Sequence, residues 1–248
     1  MPDQPQLTLH EISYSHPCHA VRAALDRHGL EYETVGLQSG PHADEVERVY
    51  GEGRRTVPGL LVDGEPVHGT ATIFARIDQL APDAGLYPDP HADRIREVEA
   101  GLAEELQSAA RTLIWGALHF RPEALGTFGG AGQLDPAGTD FAIKMMRGAW
   151  RYLEITAVGV AEQLERLPSQ FDAADRLIEE GLIGGEVPTA ADFQIGSSVH
   201  MLLKVGDLRP LVEAHPAARR ATEWFELTGG DVPAGAFPPG WVPTSATA

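Results

Sequence analysis

The spacing of apolar residues changes character near residue 90. Before that point the pattern mixes strands and helices. Leu7-Thr8-Leu9-His10-Glu11-Ile12 alternates apolar and polar, as a strand with one buried face does. Ala20, Val21, Ala24, Leu25 and His28 then recur at helical spacing. Pro17 suits the first turn of that helix, where its missing N–H costs nothing, and Gly29 is placed to end it. Residues 31–35 read as a second strand, so the opening unit is strand, helix, strand, which favours a parallel pair. A short helical stretch lies near 44–50. Residues 57–68 read as a hairpin turning at Asp63-Gly64, and Thr70 precedes a helix with Ile73, Phe74, Ile77 and Leu80 on one face. Residues 83–92 fall in a Pro-rich linker.

After the linker only helical periods remain. Ile95, Val98, Leu102, Leu106, Ala109, Leu113 and Leu118 predict one long amphipathic helix over 92–120. A Gly-rich connection spans 121–138. A second long helix is expected over 139–167, and shorter ones at 171–183, 190–205 and 208–227. The expected organisation is an α/β domain at 1–82, the linker at 83–92, an all-α domain at 93–228, and a Gly/Pro-rich tail at 229–248. That tail is expected to lie over the surface or to be partly disordered.

Composition narrows the function. The 248 residues carry 36 acidic and 19 basic side chains, a formal charge of −17. That balance argues against nucleic acid or an anionic membrane as partner, since both call for clustered Lys and Arg. No run of about 18 apolar residues suggests a membrane span, and no secretory leader is visible. The single cysteine, Cys18, forms no intrachain disulfide. Together these features point to a cytoplasmic setting. Only Lys144 and Lys204 among the basic residues are lysines and Asn is absent, which fits a GC-rich genome.

Four short segments carry candidate chemistry: Ser15-His16-Pro17-Cys18 at the start of the first helix, with Val21-Arg22 behind it; Thr56-Val57-Pro58 before the hairpin; Gly69-Thr70-Ala71 after it; and Pro188-Thr189-Ala190-Ala191-Asp192, a reciprocal helix cap. In this order they resemble the cytosolic glutathione transferase superfamily, serine-type, with a thioredoxin-like N-terminal domain and an all-helical C-terminal domain. The likeness runs from residue 7 to about 225.

That resemblance implies roles. Ser15 would hold the sulfur of glutathione as thiolate, helped by the helix terminus behind it. Residues Val57 and Pro58, with a cis peptide between them, would pair with the cysteinyl backbone of the thiol. Arg55 would reach one of its carboxylates. Thr70 would bind the γ-glutamyl carboxylate. Gly69 stands where relatives usually carry an acid, which leaves open another low-molecular-weight thiol such as mycothiol. Trp115, Phe120, Met145 and Trp150 are candidate walls of a pocket for a small hydrophobic electrophile. A homodimer and a role in detoxification follow from the same likeness. So do thiol-dependent isomerisation, dehalogenation or ether cleavage, a Cys18-based thiol transferase, and a non-catalytic binding or regulatory role. Each local feature also has a plain structural reading. Ser15 caps a helix, Cys18 is a small buried side chain, the Tyr14 ring packs, and His16 and His19 are solvated positions at a helix start.

Overall fold

The computed structural model describes residues 5–225 and 230–243, the side chains of Ala84 and Trp224 excepted. The expected extremities of the chain, residues 1–4 and 244–248, and residues 226–229 lie outside it.

The first part is a four-stranded sheet with helices against it. Its elements are β1 (Leu7–Glu11), α1 (His16–Arg27), β2 (Glu33–Gly36), α2 (His42–Tyr50), β3 (Gly59–Val62), β4 (Glu65–His68) and α3 (Thr70–Leu80). The strand order is β2-β1-β3-β4, with β1 parallel to β2 and antiparallel to β3, and β3 antiparallel to β4. The parallel pair follows from the crossover helix between β1 and β2. The tight antiparallel turn follows from Asp63-Gly64, both at positive φ (52° and 83°), as a primed two-residue turn requires. Leu7 and Leu9 of β1 and Leu60 and Val62 of β3 bury one face of the sheet, and α1 and α3 bring Val21, Leu25, Ile73 and Phe74 into the same core.

The second part is helical: α4 (Ala92–Val98), a π-helical turn at Glu99–Ala103, α5 (Glu104–Phe120), α6 (Ala124–Phe128), α7 (Pro136–Tyr152), α8 (Ala157–Glu179), α9 (Ala190–Leu203), α10 (Arg209–Glu213) and α11 (Pro216–Trp224). Helix α9 is buried along its whole length, and α1, α5 and α11 pack around it. Its start carries the expected reciprocal cap. The Thr189 hydroxyl accepts from the Asp192 N–H, and Asp192 Oδ2 accepts from the Thr189 N–H at 2.7 Å.

Several helix boundaries differ from the sequence expectation. The helix expected over 139–167 is two helices, broken at Leu153–Thr156. Glu154 sits at φ 54° there, and Thr156 caps the next helix by accepting from the Gly159 N–H at 3.0 Å. Helix α8 then continues through Pro168, where a break was expected. The expected helix over 208–227 is interrupted at His215-Pro216, and α6 occupies part of the Gly-rich connection.

The linker and the tail are built into the fold rather than draped over it. Leu86 is fully buried, and its carbonyl accepts from the Ala190 N–H at 3.0 Å. Val232 is fully buried and bridges in parallel to Val205. The Asp207 carboxylate accepts from the N–H groups of Gly235, Ala236 and Phe237 at 2.5, 2.7 and 2.9 Å. The segment 230–243 is therefore fastened at several points, contrary to a loose tail.

Candidate active site

The sheet register brings the candidate residues to one edge. His10, near the C-terminal end of β1, pairs with Gly59 at the start of β3, and Gly59 pairs with His68 at the end of β4. The chain leaving β1 reaches Ser15 within four residues. The chain entering β3 has just passed Val57, and the chain leaving β4 arrives at Thr70. Three segments distant in sequence thus converge at the same end of the sheet.

Ser15 is the residue before α1, in extended conformation (φ −77°, ψ 116°) and half-buried. Its side chain makes no capping hydrogen bond; its carbonyl accepts from the His19 N–H at 3.0 Å. Ser15 thus holds the cap position of a twelve-residue helix without a side-chain capping bond. Cys18 is fully buried, and burial pushes its thiol up to about 11, a rise that the neighbouring Ser15 hydroxyl opposes without cancelling. At neutral pH it stays a neutral thiol, which disfavours it as a nucleophile.

The Val57–Pro58 peptide is cis, as expected. Val57 is half-buried, and among the described residues its backbone N–H and carbonyl make no hydrogen bond. The groups around it are held in place. His68 Nε2 donates to the Thr56 carbonyl at 2.7 Å, and the Gly69 N–H donates to the Pro58 carbonyl at 3.3 Å. Below them the Tyr50 ring lies where a Cβ at Gly59 would fall, so only glycine fits there. Tyr50 Oη and His10 Nδ1 share a buried hydrogen bond of 2.7 Å. Burial holds His10 below its usual range, which favours the neutral ring that accepts this bond.

Thr70 is the first residue of α3, and Gly69 before it stands at φ 90°. With glycine as cap, the first turn of α3 has no side-chain partner of its own for its N–H groups. That end of an eleven-residue helix favours an anion. The positive φ also explains why an acid is out of place at 69: an L-side chain there is strained whatever the free space.

Arg55 departs from expectation. Its guanidinium is occupied by Asp44 at 2.8 Å and by Glu47, both on α2, and does not stand free for a ligand carboxylate. The histidines depart as well. His16 is buried, not solvated. Burial first, and then the Arg111 charge, lowers its pKa to about 3, and its ring lies beside the backbone of Gln107 on α5. His19 lies 2.6 Å from the Ser13 carbonyl and is lowered in the same sense, again first by burial. Tyr14 is exposed and does not pack. The seam from α1 to α5 was missed in the sequence because Gln107 and Arg111 have no local signature linking them to His16.

The proposed pocket walls form an aromatic cluster. Trp150 Nε1 donates to the Trp115 carbonyl at 2.9 Å and so ties α7 to α5. The His119 ring stacks on Trp150 with centroids 3.8 Å apart. Phe120 meets Trp150, Phe237 and Trp241 edge-on, so the fastened C-terminal segment covers it. Met145 is half-buried on α7, just over one turn before Trp150.

An unpaired backbone at Val57 beside the cis peptide, the first turn of α3 at the same end of the sheet, and an aromatic cluster on the helical part make up a two-part architecture. Comparison with known proteins shows what it resembles. Residues 9–85 match the glutathione S-transferase N-terminal domain. No curated protein sequence matches the chain. Among solved structures, a glutathione S-transferase of Ceriporiopsis subvermispora in complex with glutathione is 15% identical over 90% of this chain and 98% of that one, with a TM-score of 0.63. The β-etherase LigF from Sphingobium is 17% identical over 88% and 99%, with a TM-score of 0.59. Rice GST1 in complex with glutathione is 17% identical over 89% and 87%, with a TM-score of 0.55. Residues 9–85 thus carry a glutathione S-transferase N-terminal domain, and the chain as a whole shares the two-part fold of these structures. No helix among the described residues is long and apolar enough to cross a membrane.

Proposed function

We propose that this protein binds glutathione at the sheet edge, holds its sulfur as thiolate, and joins it to a small electrophile lying against the aromatic wall of α5 and α7. The observation that carries this reading is the free backbone of Val57, set between Ser15 and the start of α3. An extended peptide thiol pairing with Val57 would run its carboxylate toward the Thr70 helix end and its sulfur toward the Ser15 hydroxyl.

The chemistry asked of the protein is modest. A free thiol titrates near 8.5, so lowering it by two units needs about 2.7 kcal/mol of preference for the anion. A hydroxyl donor contributes about 1.5–3 kcal/mol to a charged acceptor, and a helix terminus adds a few tenths to one more. Ser15 and α1 together suffice. Proximity does the rest, because the two reactants share one cleft.

Glutathione is favoured over mycothiol because it is the thiol bound in the similar structures from rice and Ceriporiopsis subvermispora. Gly69 favours neither: its φ of 90° accounts for the missing acid without a change of thiol. Isothermal titration with glutathione and mycothiol separates the two. Binding of glutathione that weakens about tenfold in Thr70→Ala is expected. Ser15→Ala is expected to lower conjugation about 100-fold while leaving that binding within threefold. Unchanged turnover in Ser15→Ala would remove the thiolate role, and absence of any thiol-dependent turnover would leave a binding protein.

A further inference from the structure

The chain carries a formal charge of −17, and its arginines are mostly held by carboxylates. Nearly every half-buried arginine of the described residues is matched to a carboxylate: Arg22 with Glu11, Arg121 with Glu123, Arg209 with Asp231, Arg220 with Glu223. Among the described residues, several arginines make neither an ion pair nor a hydrogen bond. Of these only Arg111 is half-buried; the others, Arg54, Arg147, Arg151, Arg166 and Arg176, are exposed.

Its position follows from the helix. Gln107, Arg111 and Trp115 stand at four-residue steps, one above the other on the same face of α5. His16, next to Ser15, lies beside the Gln107 backbone and feels the Arg111 charge, and the Trp115 carbonyl accepts from Trp150 Nε1. Arg111 therefore stands between the sulfur-holding end of the cleft and its apolar end. The charges felt around it agree. His16 is influenced by Arg111, His19 and His200, and His119 by Arg147; no carboxylate acts on either ring. A half-buried guanidinium that no protein group engages keeps its fork of N–H donors available to an anion.

We propose that the second substrate is an anionic aromatic compound, its carboxylate (or an equivalent oxyanion) bound by the Arg111 guanidinium and its ring resting on Trp115 and Trp150. The inference rests on the transferase reading for its place in a reaction. The binding itself does not need the thiol. A planar fork of N–H donors matches a carboxylate in a two-pronged geometry, and the neighbouring indoles supply the apolar surface. Ser15, one residue before His16, then places the thiolate within the same cleft.

The test uses the full chain and two thiol-free probes of the same shape, 4-nitrobenzoate and its neutral methyl ester, followed by quenching of tryptophan fluorescence and by isothermal titration. The expected result is that the anion binds at least about tenfold more tightly than the ester. Arg111→Gln is expected to abolish that preference while leaving the ester unchanged. Arg111→Lys is expected to retain part of it, and both variants are checked for the wild-type melting temperature. Equal affinity in the wild type, no saturable binding of either probe up to millimolar concentration, or a preference that survives Arg111→Gln would each overturn the inference. Glutathione is titrated separately on the same preparations. A chain that takes the benzoate through Arg111 but no glutathione keeps this inference and overturns the thiol reading. Glutathione binding without the anion preference overturns this inference alone.

Discussion

His68 donates its Nε2–H to the carbonyl of Thr56 across 2.7 Å, and that bond fixes the backbone immediately before Val57. The segment proposed to meet the ligand is thus held from the neighbouring strand rather than by its own residues. A bond of this kind contributes about 1 kcal/mol. Replacing His68 with Ala is expected to weaken glutathione binding about fivefold, with turnover at saturation preserved. Calorimetric titration of the variant checks this, and an unchanged dissociation constant would show that the loop holds itself.

Cys18 gives a second expectation. Burial pushes its thiol up to about 11, so at pH 8 only about one molecule in a thousand carries the reactive thiolate. Iodoacetamide is expected to leave it unmodified in the native protein and to modify it fully once the chain is unfolded. Mass spectrometry distinguishes the two states. Cys18→Ala is likewise expected to keep most of any thiol-transfer activity, because the proposed reaction uses the sulfur of the ligand.

A third concerns pH and stability. Glu99, in the π-helical turn, accepts from Gln194 Nε2, and its carboxyl is pushed up to about 7, mainly by burial. Hydrogen bonds from Tyr87 and Gln194 and the charge of Arg96 oppose that rise without cancelling it. A carboxyl whose pKa rises on folding holds its proton better in the folded state. Its contribution is therefore greatest near pH 4.5 and falls as pH climbs through 7, by at most about 1.4 kcal/mol per unit. Asp192, pushed up to about 6 by burial, acts in the same direction at lower pH. Urea unfolding at pH 5, 6, 7 and 8 is expected to show falling stability. Glu99→Gln is expected to flatten the slope between pH 5 and 7. A steeper slope in that variant would assign the dependence to other groups.

The fourth concerns the C-terminal segment. Three N–H groups converge on the Asp207 carboxylate, and Phe237 and Trp241 of that segment cover Phe120. Asp207→Ala is expected to cost about 2 kcal/mol and to release the cover, seen as a lower melting temperature and a red shift of tryptophan emission. A blue or unchanged emission maximum would contradict the fastening.

What the sequence disclosed was local or periodic. The β1–α1–β2 unit, the Asp63-Gly64 turn, the Val57–Pro58 peptide and the Thr189–Asp192 cap each depend on residues within a few positions of one another. Their sequence pattern carries the geometry. The break at Leu153–Thr156 also had a local signal, the Thr156 cap, but it was overridden by continuous apolar periodicity on either side. The rest rests on long-range contacts. Asp207 and the N–H groups it binds lie 28–30 residues apart, and Glu99 and Gln194 lie 95 apart. No period links such pairs. The occupation of Arg55 by Asp44 and Glu47, and the burial of His16 against α5, were hidden for the same reason.

The central claim is that Ser15 and the start of α1 stabilise the sulfur of a bound peptide thiol as its anion. It is tested most directly by following thiolate absorbance near 240 nm while glutathione bound to the protein is titrated with pH, in the wild type and in Ser15→Ala. The account predicts that the bound thiol ionises about two units below free glutathione, and that the variant returns it most of the way toward the free value. A bound thiol that ionises where free glutathione does, or one whose ionisation is the same without Ser15, would contradict it.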